Sequence, residues 1–211
     1  MGSGGDGRAV SERKSEMASP TSEVLKMGTA TSPARLSFAR LYTPKPFEPG
    51  QKPRFEATFL LDPSNAEHKK QIDAIKVAAK KLIVDAGLDP TEFRLCFGSG
   101  DKKKYDGYKG MVYLASANTT RPTVVNRRRE PVAETDPGAP YSGCYVIGSV
   151  TLWLNTKKSK WINANLRAVQ FVKDGERFGG AAPVDADAEF EALEDGDAPA
   201  TAGADDDFFN T

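Results

Sequence analysis

The chain has 211 residues, 39 % of them hydrophobic, and its 29 basic residues balance 29 acidic ones at a formal charge of zero. No apolar run approaches the roughly 18 residues that span a bilayer. Two cysteines, Cys96 and Cys144, without CxxC spacing exclude a disulfide framework and read as buried thiols of a reducing cytosol. The zero hides a division. Ala181 to Thr211 holds 10 acidic residues and no Lys or Arg, which leaves the remainder with a surplus of ten positive charges. A basic body joined to an acidic tail points to a polyanion-binding surface, with nucleic acid the first polyanion to consider.

In chain order, residues 1–32 read as a disordered extension, rich in Gly and Ser and without an apolar signal region. Met17 and Met27, like Met1, are candidate native starts. Residues 33–180 are long enough for one core. Arg35 to Tyr42 reads as a strand, ended by Pro44, Pro46, Pro49 and Gly50. Phe55, Ala57, Phe59 and Leu61 alternate with Glu56 and Thr58, the period of a half-buried strand. Ser64 or Asn65 then caps a helix reaching about Ala86, with a stripe of Ile72, Ile75, Ala79, Leu82, Ile83 and Ala86 and a solvated lysine face. Gly87 closes it and Pro90 prevents continuation. His68, the only histidine, is expected to be solvated at the helix start, since it lacks partners for a zinc site.

Beyond the helix, Phe93 to Phe97, Met111 to Ala117 and Thr123 to Val125 are strand candidates. A hairpin from Cys144 to Val172 is the clearest unit. One strand alternates Val146, Gly148, Val150, Leu152 and Leu154 with Tyr145 to Trp153; the other alternates Ile162, Ala164, Leu166 and Ala168 with Trp161 to Arg167. Matching the faces by pairing Leu154 with Lys160 sets Trp153 opposite Trp161, about 5 Å apart on one platform beside Thr151, Asn163 and Arg167. Short strands, one helix and a long hairpin predict a mainly β, antiparallel barrel of OB type with one inserted helix. Residues 181–211 read as a disordered acidic tail.

Single strands of nucleic acid need cations for phosphates and exposed rings for bases. Three places interleave them. The first is the loop Lys102, Lys103, Lys104, Tyr105, Tyr108 and Lys109. The second is the hairpin, with Trp153, Lys157, Lys158, Lys160, Trp161 and Arg167. The third is the guanidinium cluster Arg121, Arg127, Arg128 and Arg129. Gly98-Ser99-Gly100 lacks the spacing of a phosphate loop. No GxSxG and no catalytic His are visible. Asp62, Asp101 and Asp106 are scattered acidic residues that a metal-dependent nuclease or resolvase, the alternative reading, would have to use.

The segment from Ser32 to Gly180 resembles OB-fold single-stranded-DNA-binding proteins of tailed bacteriophages and prophages. The resemblance is carried by Tyr105 through Gly110, by Ala115 to Asn118 with Arg121-Pro122, and by Gly143-Cys144-Tyr145. Ala168-Val169-Gln170-Phe171-Val172-Lys173-Asp174-Gly175-Glu176 is its most specific string. It implies a homodimer that binds single strands without sequence preference and carries an acidic C-terminal arm. The expected protein is non-enzymatic, needs no cofactor and acts in phage replication or recombination in the bacterial host cytoplasm. The tail tip Asp205, Asp206, Asp207, Phe208 and Phe209 is similar to bacterial single-strand-binding tails, although Asn210 and Thr211 follow, and implies docking of replication proteins. A structural or assembly protein with a partner-binding tail is the third reading.

Overall fold

A computed structural model describes residues 21–156 and 160–179. Its strands are β1 (Leu25–Met27), β2 (Ala34–Lys45), β3 (Arg54–Leu61), β4 (Arg94–Leu95), β5 (Phe97–Ser99), β6 (Val112–Asn118), β7 (Thr123–Val125), β8 (Tyr145–Asn155) and β9 (Trp161–Lys173). The helix α1 (Ala66–Asp85) lies between β3 and β4. Five strands close on themselves in the cycle β2, β3, β6, β9, β8 and back to β2. Every pairing in that cycle is antiparallel except β6 with β9. This is the OB-type barrel expected from the strand pattern. The closing seams are short: β6 meets β9 at Ala117↔Asn165, and β2 meets β8 at Ala34↔Val146 and Arg35↔Tyr145.

The barrel is filled by Leu36, Phe59, Leu114, Val150, Leu152, Ile162 and Leu166, all fully buried. Gly148 makes room for Phe59: a Cβ there would fall 2.3 Å from the ring. Burying such a ring stabilises the fold by about 1.5–3 kcal/mol. Helix α1 packs against β1, β3 and β8 through Ile72, Ile75, Ala79, Leu82 and Ile83. Asn65 caps it by accepting the Glu67 and His68 N–H groups, and Gly87 follows it with a φ of 69°. Ala86 falls outside the stripe and is exposed. His68 is buried rather than solvated. Its Nδ1 accepts the Asp62 N–H at 3.0 Å and its Nε2 reaches the Ser32 carbonyl at 2.9 Å, so it ties the helix start to two chain turns.

Further expectations are corrected. The boundary at residue 32 is too late, because β1 pairs with β8 from Leu25↔Val150 to Met27↔Gly148 and Met27 is wholly buried. A three-residue strand is too short to show a period, so composition alone masked it. The long hairpin keeps a five-residue loop but slides by two residues: Trp153 faces Asn163, and Asn155 faces Trp161. The indoles are therefore diagonal neighbours on one face, since face matching fixes parity and leaves the offset open. A bulge between Ser149↔Ala168 and Val150↔Leu166 leaves Arg167 unpaired and turns Val169 and Phe171 inward in place of Ala168. Thr151 is buried as well. Cys144 is buried and Cys96 half-buried, both as free thiols, and burial pushes the Cys96 thiol up to about 12.

Candidate nucleic-acid interface

The outward positions of β3, β6 and β9 form the floor of one open groove of about 740 Å³. Period-two geometry puts Glu56 on it from β3, Tyr113, Ala115 and Ala117 from β6, and Trp161, Asn163 and Asn165 from β9. Small residues along β6 keep this floor low, and Trp153 of β8 continues it past the hairpin. Phe38 and Arg40 of β2, Phe47, Arg54 of β3, and the loop residues Lys103, Tyr105 and Tyr108 also line the groove.

A bulge produces the Phe38 wall. The β2–β3 register changes between Ser37↔Thr58 and Arg40↔Glu56, and Phe38 takes a φ of 50°, a left-handed conformation costly for a bulky side chain. The inserted residue swings its ring outward, 42 % exposed, edge-on to Tyr105 at 5.0 Å. Tyr108 lies beneath both rings. It is 2 % exposed, and its phenol bonds to Ser37 and Thr58 while burial pushes its pKa up. Tyr108 therefore props Phe38 and Tyr105 and offers no face of its own, which corrects its expected stacking role.

The lysine loop is held by its own short contacts. The Asp101 carboxylate accepts the Gly110 N–H at 2.7 Å and the Ser99 hydroxyl at 2.8 Å, and the Gly110 bond foremost keeps its pKa below the usual carboxylate value. Gly100 is required because a Cβ would lie 2.0 Å from the Tyr108 carbonyl oxygen. That accounts for the second glycine of the Gly98-Ser99-Gly100 string without any phosphate loop. Lys103 sits over the Tyr113 ring at 5.2 Å, while Lys102, Lys104 and Lys109 are exposed on the same loop. Outside the lining, Arg94 lies over Trp161 at 5.6 Å, and Lys160 is paired with Glu92.

Other expected site residues do not line the groove. Arg121 lies over Tyr42 at 5.8 Å. Arg127, Arg128 and Arg129 form a tight turn in which the Asn126 N–H donates to the Glu130 carbonyl; it follows β7, which pairs with the distal part of β9 at Ala168 to Gln170. Arg167 is exposed at the bulge. Lys157, Lys158 and the tail residues Asp205 to Phe209 lie outside the described residues. Sequence reasoning missed Phe38, Arg40, Phe47, Arg54, Arg94 and Tyr113. One signal was present: Leu36 and Leu41 are both buried at an odd separation, which a regular strand forbids and a bulge between them permits.

Two of the three aspartates of the nuclease alternative, Asp62 and Asp101, are occupied in turns. Asp62 accepts the Ser64 N–H and hydroxyl, and Asp101 holds the lysine loop as above. Among the described residues no group of three or more His, Cys, Asp or Glu converges on a metal-sized site. Nor is any described helix long and apolar enough to cross a membrane.

Fold and groove define the class first: an OB-type β-barrel protein whose open face alternates cations and aromatic rings. Comparison with known proteins supplies the family. A family model described as "Enterobacter phage Enc34, ssDNA-binding protein" matches residues 27–202, and the chain belongs to that family. It is 35 % identical over 169 residues to "Putative protein p50" of Acyrthosiphon pisum secondary endosymbiont phage 1, covering 72 % of this chain and 90 % of that one. The solved single-stranded DNA-binding protein of bacteriophage Enc34 in complex with ssDNA is similar at a TM-score of 0.62 and 29 % identity, over 74 % of this chain and 89 % of that one. A C-terminal truncation of the Enc34 protein is similar at 0.60 and 28 %, over 74 % and 88 %.

Proposed function

We propose that this protein binds single-stranded DNA without sequence preference in phage DNA replication or recombination, with no chemical step of its own. The observation that carries the reading is the groove, where rings and cations alternate across the barrel face and the neighbouring loops that OB folds use for oligonucleotides. Its relative from bacteriophage Enc34 was solved with ssDNA. Trp153, Trp161, Tyr105 and Phe38 supply faces for bases, and stacking on them is indifferent to base identity. Lys102, Lys103, Lys104 and Lys109, with Lys157 and Lys158 of the hairpin loop, neutralise phosphates. The protein acts as a homodimer in the host cytoplasm. Its acidic tail, through Asp205 to Phe209, competes for the cationic groove or docks other replication proteins.

A salt titration with labelled single-strand, duplex and RNA oligomers tests this reading. Single-stranded DNA should bind most tightly, with log affinity falling linearly in log salt by about 0.7 for each neutralised phosphate. Mg²⁺-dependent loss of the oligomer in place of a stable complex would select a nuclease. Indifference to every oligomer would refute the proposal.

A further inference from the structure

Among the described residues Glu56 is the one carboxylate lining the groove, in the position where a polyanion-binding surface is least expected to carry one. Its two oxygens are both used. Oε2 accepts from Arg40 Nη1 at 3.0 Å and Oε1 accepts from Arg54 Nε at 2.8 Å. Strand geometry dictates the arrangement: Arg40 is the cross-strand partner of Glu56, and Arg54, two residues earlier on β3, shares its face. Glu56 is only 18 % exposed, whereas both arginine side chains remain near 40 %. Each guanidinium directs one N–H group to Glu56, and its others have no hydrogen-bond partner among the described residues. Arg54 also lies against the Phe47 ring at 5.2 Å, and Phe47 is 65 % exposed on the turn joining β2 to β3.

Resting on the single-strand reading above, we infer that Arg40, Arg54 and Phe47 form a nucleotide subsite at one end of the groove, with Glu56 as its positioning residue. The two guanidiniums take a backbone phosphate, for which their planar forks are suited, and Phe47 takes the adjoining base. Two neighbouring guanidiniums repel each other. The carboxylate between them cancels that repulsion and fixes both forks, at the cost of one negative charge in the groove.

The sign of one substitution tests this. Glu56→Gln removes a negative charge, so a carboxylate that merely repelled DNA would give tighter binding of a fluorescent dT oligomer and an unchanged or steeper salt slope. A positioning carboxylate gives the opposite: affinity lower by roughly tenfold, as when a charge-assisted hydrogen bond is removed, and a slope shallower by about 0.7 or more. The Arg40→Gln, Arg54→Gln double variant keeps the test valid should Glu56→Gln unfold, because both side chains are exposed at the rim. It should reduce the slope by about 0.7, for the one phosphate that the pair holds. Phe47→Ala should weaken binding with the slope unchanged, as a base contact does. Tighter binding by Glu56→Gln, or an unaltered slope in the arginine double variant, would overturn the subsite while leaving single-strand binding intact. Failure of the unaltered protein to bind the oligomer would remove both.

Discussion

The cations around the groove and those of the turn after β7 differ in how they meet aromatic rings. Lys103, Arg54 and Arg94 are dispersed through the sequence, yet each lies over a ring, Tyr113, Phe47 and Trp161 respectively. Arg127, Arg128 and Arg129 are contiguous and exposed, but the turn that holds them is built from Asn126 and Glu130. A run of charge in sequence gives a local field and little more. A cation beside a ring in space presents a phosphate partner and a base partner within one nucleotide's reach, and that is the pairing a single strand selects.

The comparison is broken most directly at the rings. Trp153→Ala and Trp161→Ala should each weaken single-strand binding by about 1–3 kcal/mol, and poly-dT should quench the tryptophan fluorescence of the unaltered protein. Both indoles are half-buried on the groove side of the hairpin, so the barrel should survive either change. Loss of fold in both variants, together with an absence of quenching, would return the indoles to the core.

A smaller effect is expected from the lysine loop. Changing Lys102, Lys103 and Lys104 together to Gln should reduce the salt slope by about 0.7 for each phosphate that is no longer neutralised. Only Lys103 of the three lines the groove, so a decrease nearer one phosphate than three would sharpen the rule that position over a ring matters more than membership of a run. No change in slope would make the whole loop a solvated turn.

A further comparison is between the groove and the acidic residues at the end of the same chain. Ala181 to Thr211 carries 10 acidic residues against a body surplus of ten positive charges. Ending the chain after Gly180 should tighten DNA binding modestly at low salt and relax the preference for single strands over duplex. The gain should fade as the Debye length falls to about 3 Å near 1 M salt. Equal affinities at low salt would leave the tail as a docking arm.

Most of the barrel was legible because closure and burial impose period two. β3 and the hairpin strands were visible in the alternation of their apolar residues, and Ser64 or Asn65 and Gly87 marked the ends of α1. The site was legible only where cations and rings are neighbours in sequence, as in Lys103 with Tyr105. Phe38 depends on a bulge, and Arg40 meets Glu56 only through cross-strand pairing. His68 looked solvated beside lysines because nothing local showed that Ser32 would supply an acceptor for its ring. Offsets of register, such as the two-residue slide of the hairpin, are set by neighbouring strands and leave no mark on the hairpin's own alternation.

The smallest effect is expected at the contiguous arginines of the third cluster. Arg127→Gln, Arg128→Gln and Arg129→Gln together remove three formal charges, as many as the lysine-loop variant does. If charge density alone governed binding, this variant would weaken binding as much as that one and take up to about 2 from the salt slope, three phosphates at about 0.7 each. The turn that carries them follows a strand paired with Ala168 to Gln170, whereas the groove uses β9 at Trp161 to Asn165. At about 3.3 Å per residue the five positions from Asn165 to Gln170 place these arginines some 15 Å or more along the strand, beyond a Debye length of about 8 Å at physiological salt. The triple variant should therefore match the unaltered protein at physiological salt, with a difference emerging only at low ionic strength. A slope reduced by about 2 at every salt concentration would extend the strand's path over the bulge to this turn, and contiguity of charge would then count for as much as its pairing with rings.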